Sequence, residues 1–224
     1  MNHKLSESLE DYLEAIAELI AVDGHAHTKE IANKLNVKMP SVTGALRQLE
    51  QLGYIIYNPH YPVQLTSEGK AVADKIVERH QVLKSFFSDI LGLAPEKSSE
   101  TACRLEHAVD EDTIERFTIF SEAIEHRSDA KKLQTYLTEA MQLITRDNYK
   151  DMVLLTRLAA GRKSVIELAG RNIPEDIRNQ YAKGQELVIR TVSLDKTSFN
   201  VMLGTNELTI PIEHAENIWV IPCR

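Results

Sequence analysis

Cys103, Glu106 and His107, in the stretch SSETACRLEHAVDEDTIERF, are spaced i, i+3, i+4. On a helix this spacing projects a thiol, a carboxylate and an imidazole from one face. Asp11 and Glu14 repeat the i, i+3 spacing in the first helical stretch, and His80 lies in the apolar segment VERHQVL. If the three helices pack together, six donors converge. A mixture of carboxylates, imidazoles and one thiolate suits a divalent first-row transition ion, whereas Mg²⁺ and Ca²⁺ prefer oxygen alone. Each residue taken singly also has a plainer reading. Acids in the early turns of a helix favour its dipole, His80 could be a satisfied core histidine, and Glu106 and His107 a surface pair. Cys103 could be a small buried hydrophobe.

Composition sets bounds on these readings. A chain of 224 residues has room for one large domain or two to three small ones. With 43% hydrophobic and 26% charged residues it is an ordinary globular sequence and not a disordered one. No apolar run is long enough to span a membrane, and MNHKLSESLEDYLEA lacks the apolar core of a signal peptide, so a cytoplasmic protein without membrane association is expected. Two cysteines far apart, Cys103 and Cys223, give no disulfide framework. The net charge of −7 does not suggest a nucleic-acid binder, but binding depends on where positive groups cluster.

The elements that must position the donors are legible from periodicity. SESLEDYLEAIAELIAVDG reads as an amphipathic helix with Ser6 as N-cap, apolar residues Leu9, Leu13, Ile16, Ala17, Leu19 and Ile20, and a stop at Gly24. Two short helices follow in HTKEIANKLNVKMPSVTGALRQLEQLGYI, separated by Asn36-Val37-Lys38. The second is opened by Pro40 and buries Val42, Leu46, Leu49 and Leu52. YIIYNPHYPVQLT reads as a hairpin, which completes a winged helix-turn-helix. From Thr66 a long helix is expected to run to Gly92, with more apolar surface than one small domain buries, which predicts a homodimer. Beyond the CRLEH helix, helical patterning continues to about Tyr149. After Leu154 the period changes to two, and KSVIELAG, QELVIRTVS, SFNVMLG, ELTIPI and IWVIPC read as short strands of a small SH3-like barrel. The expected fold is therefore mainly α: a winged-helix domain over 1–72, a helical metal-binding and dimerisation domain over 73–150, and a small SH3-like β-barrel over 151–224.

The winged-helix stretch, the wing end LTSEGK, the helix VERHQVLKSFFSDILGL and ACRLEHAVDED together resemble the diphtheria-toxin-repressor family of metal-dependent transcriptional repressors, which includes the manganese transport regulators. YAKGQELVIRTVS and HAENIWVI resemble the SH3-like domain that many members carry. The resemblance implies a ligand set of Asp11, Glu14, His80, Cys103, Glu106 and His107, and the set is a hybrid. Asp11 and Glu14 match the manganese type, and His80, Glu106 and His107 match both branches. Cys103 stands where the iron type has a cysteine and the manganese type a glutamate. Lys84 and Ser99 occupy iron-type ancillary positions that neither residue serves well. One site is expected from Asp11, Cys103, Glu106 and His107, and a second from Glu14, His80 and a bridging Glu106, with Cys103 as a further donor. The implied cofactor is Mn²⁺ or Fe²⁺, with Zn²⁺, Co²⁺ or Ni²⁺ able to substitute in vitro.

The implied function is a non-enzymatic, metal-switched repressor of metal-homeostasis genes that binds double-stranded operator DNA as a homodimer. Lys38, Pro40, Ser41, Thr43 and Arg47 are placed at the DNA face by short or basic side chains at the front of the second helix of the motif. Thr28 and Lys29 are expected at phosphates, and His60 or Tyr61 of the wing at the neighbouring backbone. The rival readings are a winged-helix protein not switched by metal and a metalloenzyme using Glu106 as base.

Overall fold

The computed structural model describes residues 5–223. The chain divides into two compact units. One extends to Asp89 and resumes over Leu93–Phe120; the other comprises Ile90–Gly92 and the chain from Ser121 onward.

The first unit is helical and is built on one apolar core. Helix α1 (Glu7–Asp23) buries Leu9, Tyr12, Leu13 and Ile16, and it stops at Gly24, whose φ of 76° suits a residue without Cβ. Helix α2 (Thr28–Lys34) is fixed by a capping box in which the His27 N–H donates to Glu30 Oε2 at 2.7 Å. Helix α3 (Met39–Gln51) has Pro40 in its first turn and buries Val42, Ala45, Leu46 and Leu49. Leu52, expected in that core, is instead 37% exposed at the C-cap. The stripe through Val42, Leu46 and Leu49 advances by 3.6 residues per turn, so its next position falls nearer 53. Strands β1 (Ile55–Ile56) and β2 (Gln64–Leu65) pair antiparallel as the wing, with Ile55 opposite Leu65.

Helix α4 (Ser67–Ser85) begins where Thr66 Oγ1 accepts a hydrogen bond from the Gly69 N–H at 2.9 Å. Here glycine is required sterically, because a Cβ at 69 would sit 1.7 Å from the Tyr54 carbonyl oxygen. The helix does not run unbroken to Gly92 as expected. It widens into one π-helical turn over Phe86–Ile90, and Phe86 packs edge-on against Phe117 at 4.7 Å. Helices α5 (Pro95–Glu106) and α6 (Glu111–His126) follow. Both α1 and α5 pack against α4, which brings together the three helices carrying the candidate donors.

The second unit contains helix α7 (Lys131–Leu143) and a six-stranded antiparallel sheet. Its strands are β3 (Val153–Leu154), β4 (Lys163–Ala169), β5 (Glu186–Val192), β6 (Ser198–Leu203), β7 (Asn206–Pro211) and β8 (Ile218–Pro222), in the order β3-β8-β4-β5-β6-β7. The short helices α8 (Glu175–Arg178) and α9 (Ile212–Ala215) lie in the connections. Alternating residues such as Leu187 and Ile189, and Phe199, Val201 and Leu203, form its core. Register shifts at Ile166/Leu168 and Ile189/Thr191 bend the sheet, as an SH3-like fold requires. The five strands read from the sequence are present, and β3 is added as a short edge. Among the described residues no helix is long and apolar enough to cross a membrane.

Candidate metal centre

Six predicted donors meet where α1, α4 and α5 pack. Donor atoms of Asp11, Cys103 and Glu106 lie within 4.8 Å of one another, and so do those of Glu14, His80 and Glu106. Glu106 belongs to both groups. It is completely buried, and its Oε1 has no hydrogen-bond partner among the described residues. Such an atom costs free energy unless something satisfies it. Its Oε2 lies 2.6 Å from His80 Nδ1, and His80 Nδ1 also approaches Glu14 Oε1 at 3.5 Å. His107 Nε2 sits 2.9 Å from Asp11 Oδ1 and 3.5 Å from Glu106 Oε1. His107 therefore flanks the first group instead of closing it. Cys103 joins the Asp11 group and not the Glu14 group, so the second set consists of Glu14, His80 and Glu106 alone.

The electrostatics of the cluster follow from its crowded carboxylates. Burial first, and then the charge of Glu106, push the Glu14 carboxyl up to about 7. Partial burial and the carboxylates of Glu106, Asp11 and Glu14 push the Cys103 thiol up to about 11, although the residue as a whole is exposed. His80 is shifted upward chiefly by its hydrogen bond to Glu106. For His107 burial acts downward, but the hydrogen bonds to Glu10 and Asp11 outweigh it. Every one of these shifts favours a proton, because each group faces neighbouring carboxylates. The donor set of carboxylates, two imidazoles and one thiol fits a divalent transition ion, which would satisfy Glu106 Oε1 and replace those protons.

Two residues of the centre escaped sequence reasoning. Glu10 Oε2 lies 2.7 Å from His107 Nδ1 and 3.4 Å from Arg79 Nη2. The only sequence signal was adjacency, since Glu10 precedes Asp11 and Arg79 precedes His80. Neighbouring helical positions point about 100° apart, so their contact needs the three helices assembled. Of the former iron-type positions, Ser99 Oγ lies 3.5 Å from His80 Nε2.

Of the residues predicted at DNA, Lys29, Lys38, Pro40, Ser41, Arg47, His60 and Tyr61 are exposed, while Thr28 and Thr43 are half-buried. Thr43 Oγ1 donates to the Met39 carbonyl at 3.2 Å within α3. A Cβ added at Gly44 meets nothing within 4 Å, which leaves open space at the front of the helix. His60 has a φ of 73° in the wing loop.

Comparison with known proteins accounts for both halves of the first unit. The model of the iron dependent repressor N-terminal DNA binding domain matches residues 4–62. The model of the iron dependent repressor metal binding and dimerisation domain matches residues 66–135. An uncharacterized HTH-type transcriptional regulator of Methanocaldococcus jannaschii is 40% identical over 119 residues, covering 53% of this chain and 95% of that protein. The transcriptional regulator MntR of Escherichia coli is 36% identical over 116 residues, covering 52% of this chain and 74% of that protein. The solved structure of T. acidophilum IdeR aligns with 99% of this chain and 100% of its own, at 23% identity and a TM-score of 0.47. The chain belongs to the iron-dependent repressor family, of the diphtheria-toxin-repressor and manganese-regulator type, and is a metal-sensing, DNA-binding transcriptional repressor and not an enzyme.

Proposed function

We propose that Asp11, Cys103, Glu106 and His107 hold one divalent cation and that Glu14, His80 and the shared Glu106 hold a second. The supporting observation is the buried, unpartnered Glu106 oxygen common to two donor groups drawn from α1, α4 and α5. The cation is Mn²⁺ or Fe²⁺: Asp11 and Glu14 favour the harder ion, and Cys103 the softer. When bound it supplies positive charge that offsets the carboxylate repulsion.

The chain's own residues convert that charge into a switch. Asp11 and Glu14 belong to α1 of the winged-helix part, which we place at residues 1–72. His80, Cys103, Glu106 and His107 belong to the dimerisation part at 73–150, and residues 151–224 form the SH3-like part. Tying α1 to α4 and α5 fixes the position of α3 for the operator; a coupling of about 1–3 kcal/mol is the usual scale of such control. Lys38, Pro40, Ser41, Thr43 and Arg47 meet the major groove, Thr28 and Lys29 meet phosphates, and His60 and Tyr61 meet the adjoining backbone. The homodimer acts in the cytoplasm on metal-homeostasis genes.

The test is binding of the full chain to its own upstream DNA with Mn²⁺, Fe²⁺, Zn²⁺ or chelator. Affinity should rise at least about tenfold with the activating ion, corresponding to 1.4 kcal/mol. Cys103→Ala combined with Glu106→Ala should behave like the chelated protein in every condition. Equal wild-type affinity with ion and with chelator would refute the switch.

A further inference from the structure

We infer that Glu10, anchored by Arg79, is a positioning residue that fixes the His107 imidazole so that Nε2 faces the first cation position. The inference rests on the proposed ligand role of His107.

A carboxylate can only accept, so the 2.7 Å contact between Glu10 Oε2 and His107 Nδ1 places a hydrogen on Nδ1. By the same rule Nε2 donates to Asp11 Oδ1 at 2.9 Å, and this Nε2 hydrogen, beside Asp11 and Glu106, is the one a cation would replace while Glu10 keeps the hydrogen on Nδ1. The side chains involved are 8% and 13% exposed, so water screens the bond weakly. Glu10 is in turn held by Arg79 Nη2 at 3.4 Å, and the ion pair is only 19% and 13% exposed on its two sides. Glu10 joins neither donor group. Its oxygen is occupied by the imidazole and the guanidinium.

The tether answers a local weakness. His107 is the C-cap residue of α5, one position beyond the regular helix, where backbone restraint on the ring is least. Every other candidate donor lies inside α1, α4 or α5. A histidine ligand of this kind depends on the group bound to its second nitrogen for both tautomer and ring direction. Glu10–Asp11, Arg79–His80 and Glu106–His107 are adjacent pairs on three helices. One chain of contacts, Arg79 to Glu10 to His107, therefore runs beside the donors and links all three helices.

The experiment uses the full chain with nitrogen-labelled histidine and Cd²⁺ as the probe. Nitrogen NMR identifies the ring atom bonded to cadmium, and calorimetry gives the affinity of each site. In the wild type the cadmium coupling of His107 should fall on Nε2. Glu10→Ala should weaken one site about 10–100-fold and leave the other within about twofold. It should also divide the coupling between the two ring nitrogens. Glu10→Gln, which still accepts from Nδ1–H, should restore most of the affinity and return the coupling to Nε2. Arg79→Met should produce a smaller loss in the same direction. Wild-type affinity and an Nε2-only coupling in Glu10→Ala would overturn the positioning role. A wild-type protein in which His107 shows no cadmium coupling would overturn the ligand reading itself, and the positioning role with it. Equal thermal midpoints of the chelated variants separate either result from misfolding.

Discussion

The Glu14 carboxyl makes the folded, cation-free protein less stable than it could be, and replacing it should show this directly. Its pKa rises from 4.5 in the unfolded chain to about 7 in the fold, because Glu14 is 9% exposed and faces Glu106. Below about pH 4 both states hold the proton and the carboxyl costs nothing. As pH rises from 4.5 to about 7 the unfolded chain ionises first, so folding stability falls, and above 7 the loss levels off. At about 1.4 kcal/mol per unit the shift sets a ceiling of roughly 3 kcal/mol, and relaxation around the site brings the expected cost to about 1–2 kcal/mol. Glu14→Gln removes this cost. In chelator at pH 8 the variant should melt several degrees above the wild type, and at pH 4 the two should coincide. Excess Mn²⁺ should reverse the order, because a ligand at 100 times its Kd stabilises the wild type by about 2.7 kcal/mol and the variant lacks one carboxylate. Thermal denaturation followed by circular dichroism across this pH series is the assay. A gain that is equal at pH 4 and pH 8, or a loss at both, would show that burial of Glu14 beside Glu106 does not strain the fold.

Glu106→Gln should abolish the thermal shift produced by Mn²⁺ altogether, since Glu106 is shared by both donor groups; a wild-type shift in that variant would remove it from the ligand set. Cation binding should release protons, because the Cys103 thiol at about 11 and the Glu14 carboxyl at about 7 both lose theirs. Calorimetry at pH 7.5 in buffers of different ionisation heat should count more than one proton per loaded chain, fewer in Cys103→Ala, with affinity falling as pH drops below 7. Gly69→Ala should cost at least about 2 kcal/mol and impair DNA binding with or without cation, because its Cβ would overlap the Tyr54 carbonyl. A neutral effect in thermal melts would mean that the start of α4 shifts freely.

The sequence by itself determined the elements, because period, capping and turn chemistry are local. The α1 stripe ending at Gly24, Pro40 in the first turn of α3, the wing and five of the six strands of the second unit could each be read from a window of a few residues. Spacing also put Cys103, Glu106 and His107 on one helical face and Asp11 with Glu14 on another, whereas His80 joined the proposed ligand set through the family resemblance. Other features required the assembled fold. Leu52 lies past the buried stripe, and a π-helical turn begins at Phe86, whose ring meets Phe117, neither of which a periodic pattern encodes. The division of donors into two groups around Glu106, with Cys103 in one group alone, depends on how α1, α4 and α5 cross. The same crossing decided that Glu10 and Arg79 stand beside the cluster. Contacts between residues 69 and 97 positions apart leave no trace in local sequence, because the helices that carry them are brought together only by burial of their shared core.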